Sequence, residues 1–138
     1  MKRFGLFRCA AIDFAVPLFR LRKILHVQQV FELPRLPGNV SGVLVTEGRI
    51  VPVLDLPQVV AGSSGAAGAE YLVLVESEYG ILSFPADTSS GIIAEQKGAV
   101  VPTAEEDASW STGQFLFQDR AFQILDIDFL AIGLTQGS

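Results

Sequence analysis

Few side chains in this 138-residue chain could do chemistry, and their spacing argues against most of what they could do. His26 is the sole histidine and Cys9 the sole cysteine, so a histidine-rich metal site and an internal disulfide are both excluded. The order of the expected elements does not pair the two for nucleophilic catalysis, and His26 reads as an ordinary strand residue beside a helix. Asp126 and Asp128 stand two apart and could share a strand face, yet no further ligands and no EF-hand spacing accompany them. Gly62, Gly65 and Gly68 are evenly spaced like a phosphate loop, but neither Gly-Lys-Ser/Thr nor G-x-G-x-x-G is present, which leaves a linker. Trp110, in an acidic loop, is either a lid over its lobe or an exposed contact residue. The residues needed for nucleophile, base and metal are missing, so the expectation is a non-enzymatic protein without cofactor or metal that works by presenting surfaces.

The elements that would form such surfaces centre on Leu36 to Leu56. Val43, Leu44 and Val45 lead into Glu47-Gly48, and Ile50, Val51, Val53 and Leu54 lead out, which predicts a hairpin with Gly48 in its turn. Pro52 cannot donate to a ladder, so the return strand is expected at an edge or with a bulge there. Leu36-Pro37-Gly38-Asn39 reads as the turn entering the unit.

The pattern returns. An offset of 113 − 42 = 71 carries Gly42 onto Gly113, Glu47-Gly48-Arg49 onto Gln118-Asp119-Arg120, and Val53 to Leu56 onto Ile124 to Ile127. It also carries Gly62 onto Gly133 and Asp55 onto Asp126, and a duplicated aspartate suits a structural turn or cap better than catalysis. A second echo, offset by 65, sets Asp13 to Val16 beside Glu78 to Ile81. Two copies of one small β unit follow.

Elsewhere, Phe7 to Val16 reads as a strand pair turning near Ala11 to Asp13. Pro17 followed by Leu18, Leu21 and Leu25 predicts a short amphipathic helix. Val27 to Leu33 is expected to be extended. The stretch from Ala61 to Ala69 reads as a flexible connection between halves, followed by strands at Tyr71 to Val75 and Tyr79 to Phe84 around a Glu76 to Glu78 turn. Asp87 to Gly91 is expected as a turn or short helix before a strand from Ile92 to Glu95. Gly98 to Ser111 reads as a polar loop, then a last hairpin runs from Phe115 to Ile127 and Asp128 to Ile132 closes the fold. The reading is a single all-β domain over 1–138 with two lobes, favouring small barrels over a sandwich.

Composition narrows the partners. A net charge of −5 makes a poor phosphate tracker, so nucleic acid is not expected. The charge is uneven: eight Lys or Arg and three acids through Ile50, against two bases and twelve acids beyond. Scattered solvated charge is favoured over a basic patch. The opening Met1 to Phe7 briefly imitates a secretion signal, but Arg8 and Asp13 interrupt the apolar run and no small-residue cleavage site follows. No stretch has the roughly 18 uncharged apolar residues of a membrane span, so a cytoplasmic protein without direct membrane insertion is expected.

The residues Gly42 to Leu56 resemble the signature of the CheW-like domain family, the adaptors of bacterial chemotaxis, written Gly-Val-x-Asn-Leu-Arg-Gly-x-x-x-Pro-Val-x-Asp-Leu. Asp13-Phe14-Ala15-Val16 is similar to the family's Glu-Tyr-Gly-Ile strand, Ala86 to Gly91 to its Val-Asp-x-Val-x-Gly, and Ile124 to Leu130 to its closing strand. The resemblance implies two five-stranded SH3-like β-barrels packed together with one or two short helices. It also implies a non-catalytic adaptor joining the cytoplasmic tips of methyl-accepting receptors to the regulatory domain of a chemotaxis histidine kinase. The contacts it implies are Leu21, Lys23, Gly42, Glu47, Gly48, Arg49 and Ile50. Two departures stand out. The family's Asn and Arg before the hairpin glycine are Val45 and Glu47 here, and its usual helix Glu is Lys23. The exchange suggests that Lys23 and Glu47 face one another as a reversed pair bearing on partner choice. The alternative is a stand-alone β-barrel module binding a small ligand or another partner outside any receptor–kinase array.

Overall fold

The computed structural model describes residues 2–26, 30–31, 39–62, 69–103 and 109–135. The strands are β1 (Arg3–Cys9), β2 (Ile12–Pro17), β3 (Leu21–His26), β4 (Val40–Thr46), β5 (Arg49–Leu54), β6 (Tyr71–Ser77), β7 (Gly80–Ala86), β8 (Thr88–Ala94), β9 (Ala99–Val101), β10 (Ser111–Phe117) and β11 (Arg120–Leu125). Two helices, α1 (Leu56–Ala61) and α2 (Ile127–Thr135), each follow a hairpin. The strands form two β-barrel subdomains, one in the order β8-β1-β2-β11-β10-β9 and the other β3-β6-β7-β5-β4.

The two are copies. The offset of 71 maps β4 onto β10 and β5 onto β11 end to end, and the register shift between Val40 and Gly42 onto that between Ser111 and Gly113. It extends to the caps. Asp55 accepts from the Gln58 amide (3.3 Å) and Asp126 from the Phe129 amide (3.1 Å), each carboxylate satisfying a donor that the first helical turn leaves open. The duplicated aspartates are therefore helix caps, and Asp126 and Asp128 lie at the start of a helix rather than along one strand face. The glycine equivalence ends there: Gly62 stops α1 in the left-handed region (φ 72°), whereas Gly133 lies inside the longer α2.

The second echo is real, but its offset is 68 and not 65. That shift places Arg3–Cys9 on Tyr71–Ser77 and Asp13 on Ile81, with tight turns at Ala10-Ala11 and Glu78-Tyr79. Both turns fall next to the positions the sequence pattern favoured, because apolar residues alternate through the strand ends as readily as through the middle.

Three corrections concern secondary structure. The helix expected from Leu18, Leu21 and Leu25 is a single 3-10 turn, Leu18–Arg20, followed by β3. Strand β6 has an open edge there, and pairing with it outweighs a marginal helix too short to stand alone in water. Residues 88–91, expected as a turn or helix, begin β8, which pairs along β1. The polar loop contains β9, on the edge of β10.

Pro52 corrects a fourth expectation. Strand β5 lies between β4 and β7, and the bulge sits opposite, at Ser41. The proline is tolerated because Val43, its partner, turns its own amide and carbonyl away to Phe31 (2.9 and 2.7 Å), and the ladder to β7 is a single pair, Val53 with Ser83. The Ser83 hydroxyl donates to the Pro52 carbonyl instead (2.9 Å).

The chain changes barrel at two places, Pro17–Leu21 between β2 and β3 and Asp87 between β7 and β8, so each barrel takes strands from both halves of the sequence. Residues 61–69 connect α1 to β6 with β5 and β6 in the same sheet, so this stretch does not join one barrel to the other. Gly65, Gly68 and Leu36 to Gly38 lie outside the described residues, as does most of 27–33, from which Phe31 bridges Val43.

The strand exchange explains the uninterrupted apolar runs. In β6, Leu72 and Leu74 point into the second barrel while Val73 and Val75 enter a central core shared with Phe7, Phe14, Phe84, Leu125 and Ile127. Strand β1 does the same with Leu6 and Phe7. Both faces of these strands are buried, so polar alternation is lost. Trp110 belongs to the central core and is buried, which settles its place. Cys9 is buried there too, and burial, assisted by the charges of Asp87 and Asp55, pushes its thiol from 9.0 up to about 12.

Candidate protein-docking surface

The hairpin β4–β5 ends in a two-residue turn in which Glu47 (φ 51°) and Gly48 (φ 74°) are both left-handed between the paired Thr46 and Arg49. This handedness matches the twist of the flanking strands, and an added Cβ on Gly48 would meet open space. Gly42 has a different reason: a Cβ there would come within 2.7 Å of both the Phe31 carbonyl oxygen and Val30 Cγ1. It is buried and permits the bridge that anchors the hairpin.

Lys23 and Glu47 do face one another, Nζ to Oε1 at 3.0 Å, with about half of each side chain exposed, 47% and 62%. Their strands are the two edges of the five-stranded sheet, so the pair closes the seam of the second barrel. The Lys23 hydrogen bond and charge hold the Glu47 carboxyl below its usual range. Next to this pair, Arg22 reaches Glu76 (3.3 Å). Together Arg22, Lys23, Glu47, Arg49 and Ile81 line a mouth-like groove of about 280 Å³. Three of the eight basic side chains through Ile50, read as scattered charge, thus meet here once β3 lies beside β6, while Lys2, Arg3, Arg8 and Arg20 lie elsewhere.

Of the seven sequence-predicted residues, Lys23, Glu47 and Arg49 share this groove and Gly48 forms the turn beside it. Ile50 is 72% exposed and pairs across the hairpin with exposed Val45. Leu21 is half-buried against the central core and lies apart from the groove. Sequence reasoning missed Arg22 and Ile81; treating residues 18–25 as a helix hid the first, and only the 68-residue offset points to the second.

A second concavity of about 700 Å³ lies beside the crossing Pro17–Leu21, lined by Phe4, Leu18, Phe19, Val100, Ile124 and Ile127 with Lys2, Arg3 and Glu95. Phe19 is 80% exposed, with the Arg20 guanidinium 5.1 Å from its ring centre. The segment is fixed by Asp128, whose carboxylate accepts from Arg20 Nη2 (2.5 Å) and from the Glu78 amide (2.8 Å). His26 ends β3 with its ring 5.4 Å from Tyr71.

Among the described residues no three His, Cys, Asp or Glu side chains are grouped to hold a metal ion, and no helix is long and apolar enough to cross a membrane. Two surface features stand out among the described residues: a charged mouth with an exposed hairpin, and an apolar groove.

Comparison with known proteins bears on what these surfaces meet. The model of the CheW-like domain family matches residues 3–132. Among solved structures, the chain is similar to the scaffolding protein TtCheW from Thermoanaerobacter tengcongensis, at 20% identity and a TM-score of 0.80 over 94% of this chain and 91% of that one. No curated protein matches it.

Proposed function

The chain belongs to the CheW-like domain family, and from that membership we propose that it is a non-enzymatic signalling adaptor coupling the cytoplasmic tips of methyl-accepting receptors to the regulatory domain of a chemotaxis histidine kinase. The observation that carries this reading is the rigid, exposed hairpin tip seated beside Lys23 on the barrel seam. A two-residue left-handed turn costs little entropy to order on binding, because it is already fixed by its strands. Glu47, Gly48, Arg49 and Ile50 form the kinase-facing contact, with Lys23 supporting Glu47.

An adaptor needs two faces. The apolar groove beside Phe19 is the second, on the side of the crossing segment, and it takes the receptor. The reversed polarity of the Lys23–Glu47 pair then selects a partner whose own charges are reversed relative to the family's usual arrangement. Such interfaces bury about 1,000 to 1,600 Å² in total when they are of ordinary size.

The test is calorimetric titration with the CheW-like regulatory domain of a chemotaxis kinase from the same genome, with Glu47→Arg beside it. Micromolar binding that the substitution weakens supports the adaptor and the hairpin contact. A folded protein that binds no such domain would refute the reading.

A further inference from the structure

Each barrel carries an arginine at the same place in its copy of the repeated hairpin, and among the described residues only one of the two is gripped by a carboxylate. In the first barrel Arg120, opening β11, grips Asp13 of β2 with Nε to Oδ2 at 3.1 Å and Nη2 to Oδ1 at 2.5 Å, and Arg8 Nε stands 3.9 Å from the same carboxylate. The repeat offset of 71 puts Arg49 at the position of Arg120. The offset of 68 puts Ile81 where Asp13 stands and Glu76 where Arg8 stands, and the strand registers agree: Arg8 pairs with Asp13 as Glu76 pairs with Ile81. Arg49 and Ile81 line the same groove, so the second barrel has a half-buried isoleucine at the place where the first supplies a carboxylate.

The nearby acids are taken. Glu47 is held by Lys23 and Glu76 by Arg22, whereas the Arg49 side chain makes no hydrogen bond or ion pair among the described residues and acts on Glu47 only through its charge, after Lys23 and Arg22. Three cations and one groove-lining acid in a chain of net charge −5 make this a local positive excess. A guanidinium offers a planar fork of donors that matches one carboxylate in two parallel bonds, as Arg120 shows within this protein.

We infer that the mouth of the second barrel receives an acidic side chain of a protein partner, whose Asp or Glu binds Arg49 as Asp13 binds Arg120. This rests on reading the hairpin tip as a docking surface and names the chemistry it selects. The matching substitution within the chain is Ile81→Asp, which supplies the missing acid internally and closes the site.

Arginine Nε–Hε resonances of ¹⁵N-labelled protein, followed while poly-L-glutamate is added at low salt, test the inference without any cellular partner. The expected result is a shift of the Arg49 resonance while Arg120, already paired, stays in place. Arg49→Gln and Ile81→Asp each weaken apparent affinity by about tenfold, the scale of one charge-assisted contact. Ile81→Asn removes the same apolar side chain without supplying a charge and should weaken affinity less than Ile81→Asp does, and Arg49→Gln, at an exposed position, keeps the test open if Ile81→Asp fails to fold. An unmoved Arg49, an Arg120 that moves as much, or Ile81→Asp binding like the parent overturns the inference. So does concentration-dependent self-association that Arg49→Gln abolishes, since the occupant would then be a second copy. Kinase-domain binding that is indifferent to Arg49→Gln, with no response to poly-L-glutamate, sinks the inference and leaves the adaptor standing. A poly-L-glutamate response at Arg49 in a protein that binds no kinase domain does the reverse.

Discussion

Replacing Asp128 by Ala should loosen the joint between the two barrels more than any other single surface substitution at the crossing. Asp128 sits in the first turn of α2, after the last strand of the first barrel, and holds two elements at once. It accepts from Arg20, on the crossing segment, and from the Glu78 amide, in the turn between β6 and β7 of the second barrel. The ionic partners are largely covered, with side chains 21% and 28% exposed. Both bonds are to the charged carboxylate, each worth about 1.5–3 kcal/mol, but water re-solvates the exposed Glu78 amide and the partly exposed Arg20 once the carboxylate is gone, so the net loss is about 2–3 kcal/mol. With an unfolding entropy of about 2.1 cal/mol/K per residue, that lowers the melting temperature of a chain this size by roughly 7–10 °C. Urea titration followed by the fluorescence of Trp110, the only tryptophan and buried in the shared core, reads the loss directly. Asp128→Asn keeps an acceptor oxygen for only one of the two donors, without the charge, and should lose somewhat less than Asp128→Ala. A cycle with Arg20→Met should be sub-additive, since either change removes the same ion pair. The reasoning fails if Asp128→Ala lies within about 0.5 kcal/mol of the parent or if the cycle is additive.

Three further outcomes follow from the same geometry. Gly42→Ala should cost more stability than Gly48→Ala, because its methyl drives into the Phe31 carbonyl while Gly48 pays only the left-handed penalty of about 1–2 kcal/mol; equal midpoints in urea would contradict this. Glu47 should titrate below 4.5, with Lys23→Met returning its midpoint toward that value in carboxyl NMR shifts. Because the folded value is depressed, the pair stabilises the fold above pH 4.5 and its contribution is lost as pH falls through the lowered value. The Cys9 thiol, raised to about 12, should resist aromatic disulfide reagents at pH 8 and react only as fast as the core opens, so that urea accelerates labelling; immediate stoichiometric reaction of the native protein would show the site to be open. Its raised value favours the fold fully below 9.0, and that contribution is lost as pH rises toward about 12.

Much of this molecule was legible in order along the chain. The β4–β5 hairpin, its copy at an offset of 71 and the capping role of Asp55 and Asp126 all rest on local rules: strand preference, glycine in a turn, and a carboxylate before a helix. The Lys23–Glu47 pair was reached through the family resemblance, since nothing local joins residues 24 positions apart. The helix expected at Leu18–Leu25 failed because a helical spacing of leucines says nothing about the open edge of β6 that was waiting for a strand. The Gly/Ala/Ser composition of residues 61–69 suggests a joint between lobes, but composition carries no information about which strands pair, and β5 and β6 share a sheet.

By itself, then, the sequence determined the β units, their duplication and the turn chemistry, because those depend on neighbours within a few residues. Tertiary structure decided that the two copies trade strands, that Trp110 is core and Phe19 surface, and that Arg22, Lys23 and Arg49 meet around a single mouth. It also decided that Arg49 shares a groove with Ile81 while Arg120 is paired with Asp13. These follow from long-range pairing between strands far apart in the chain, where each contact is chosen by what the rest of the fold leaves unpaired.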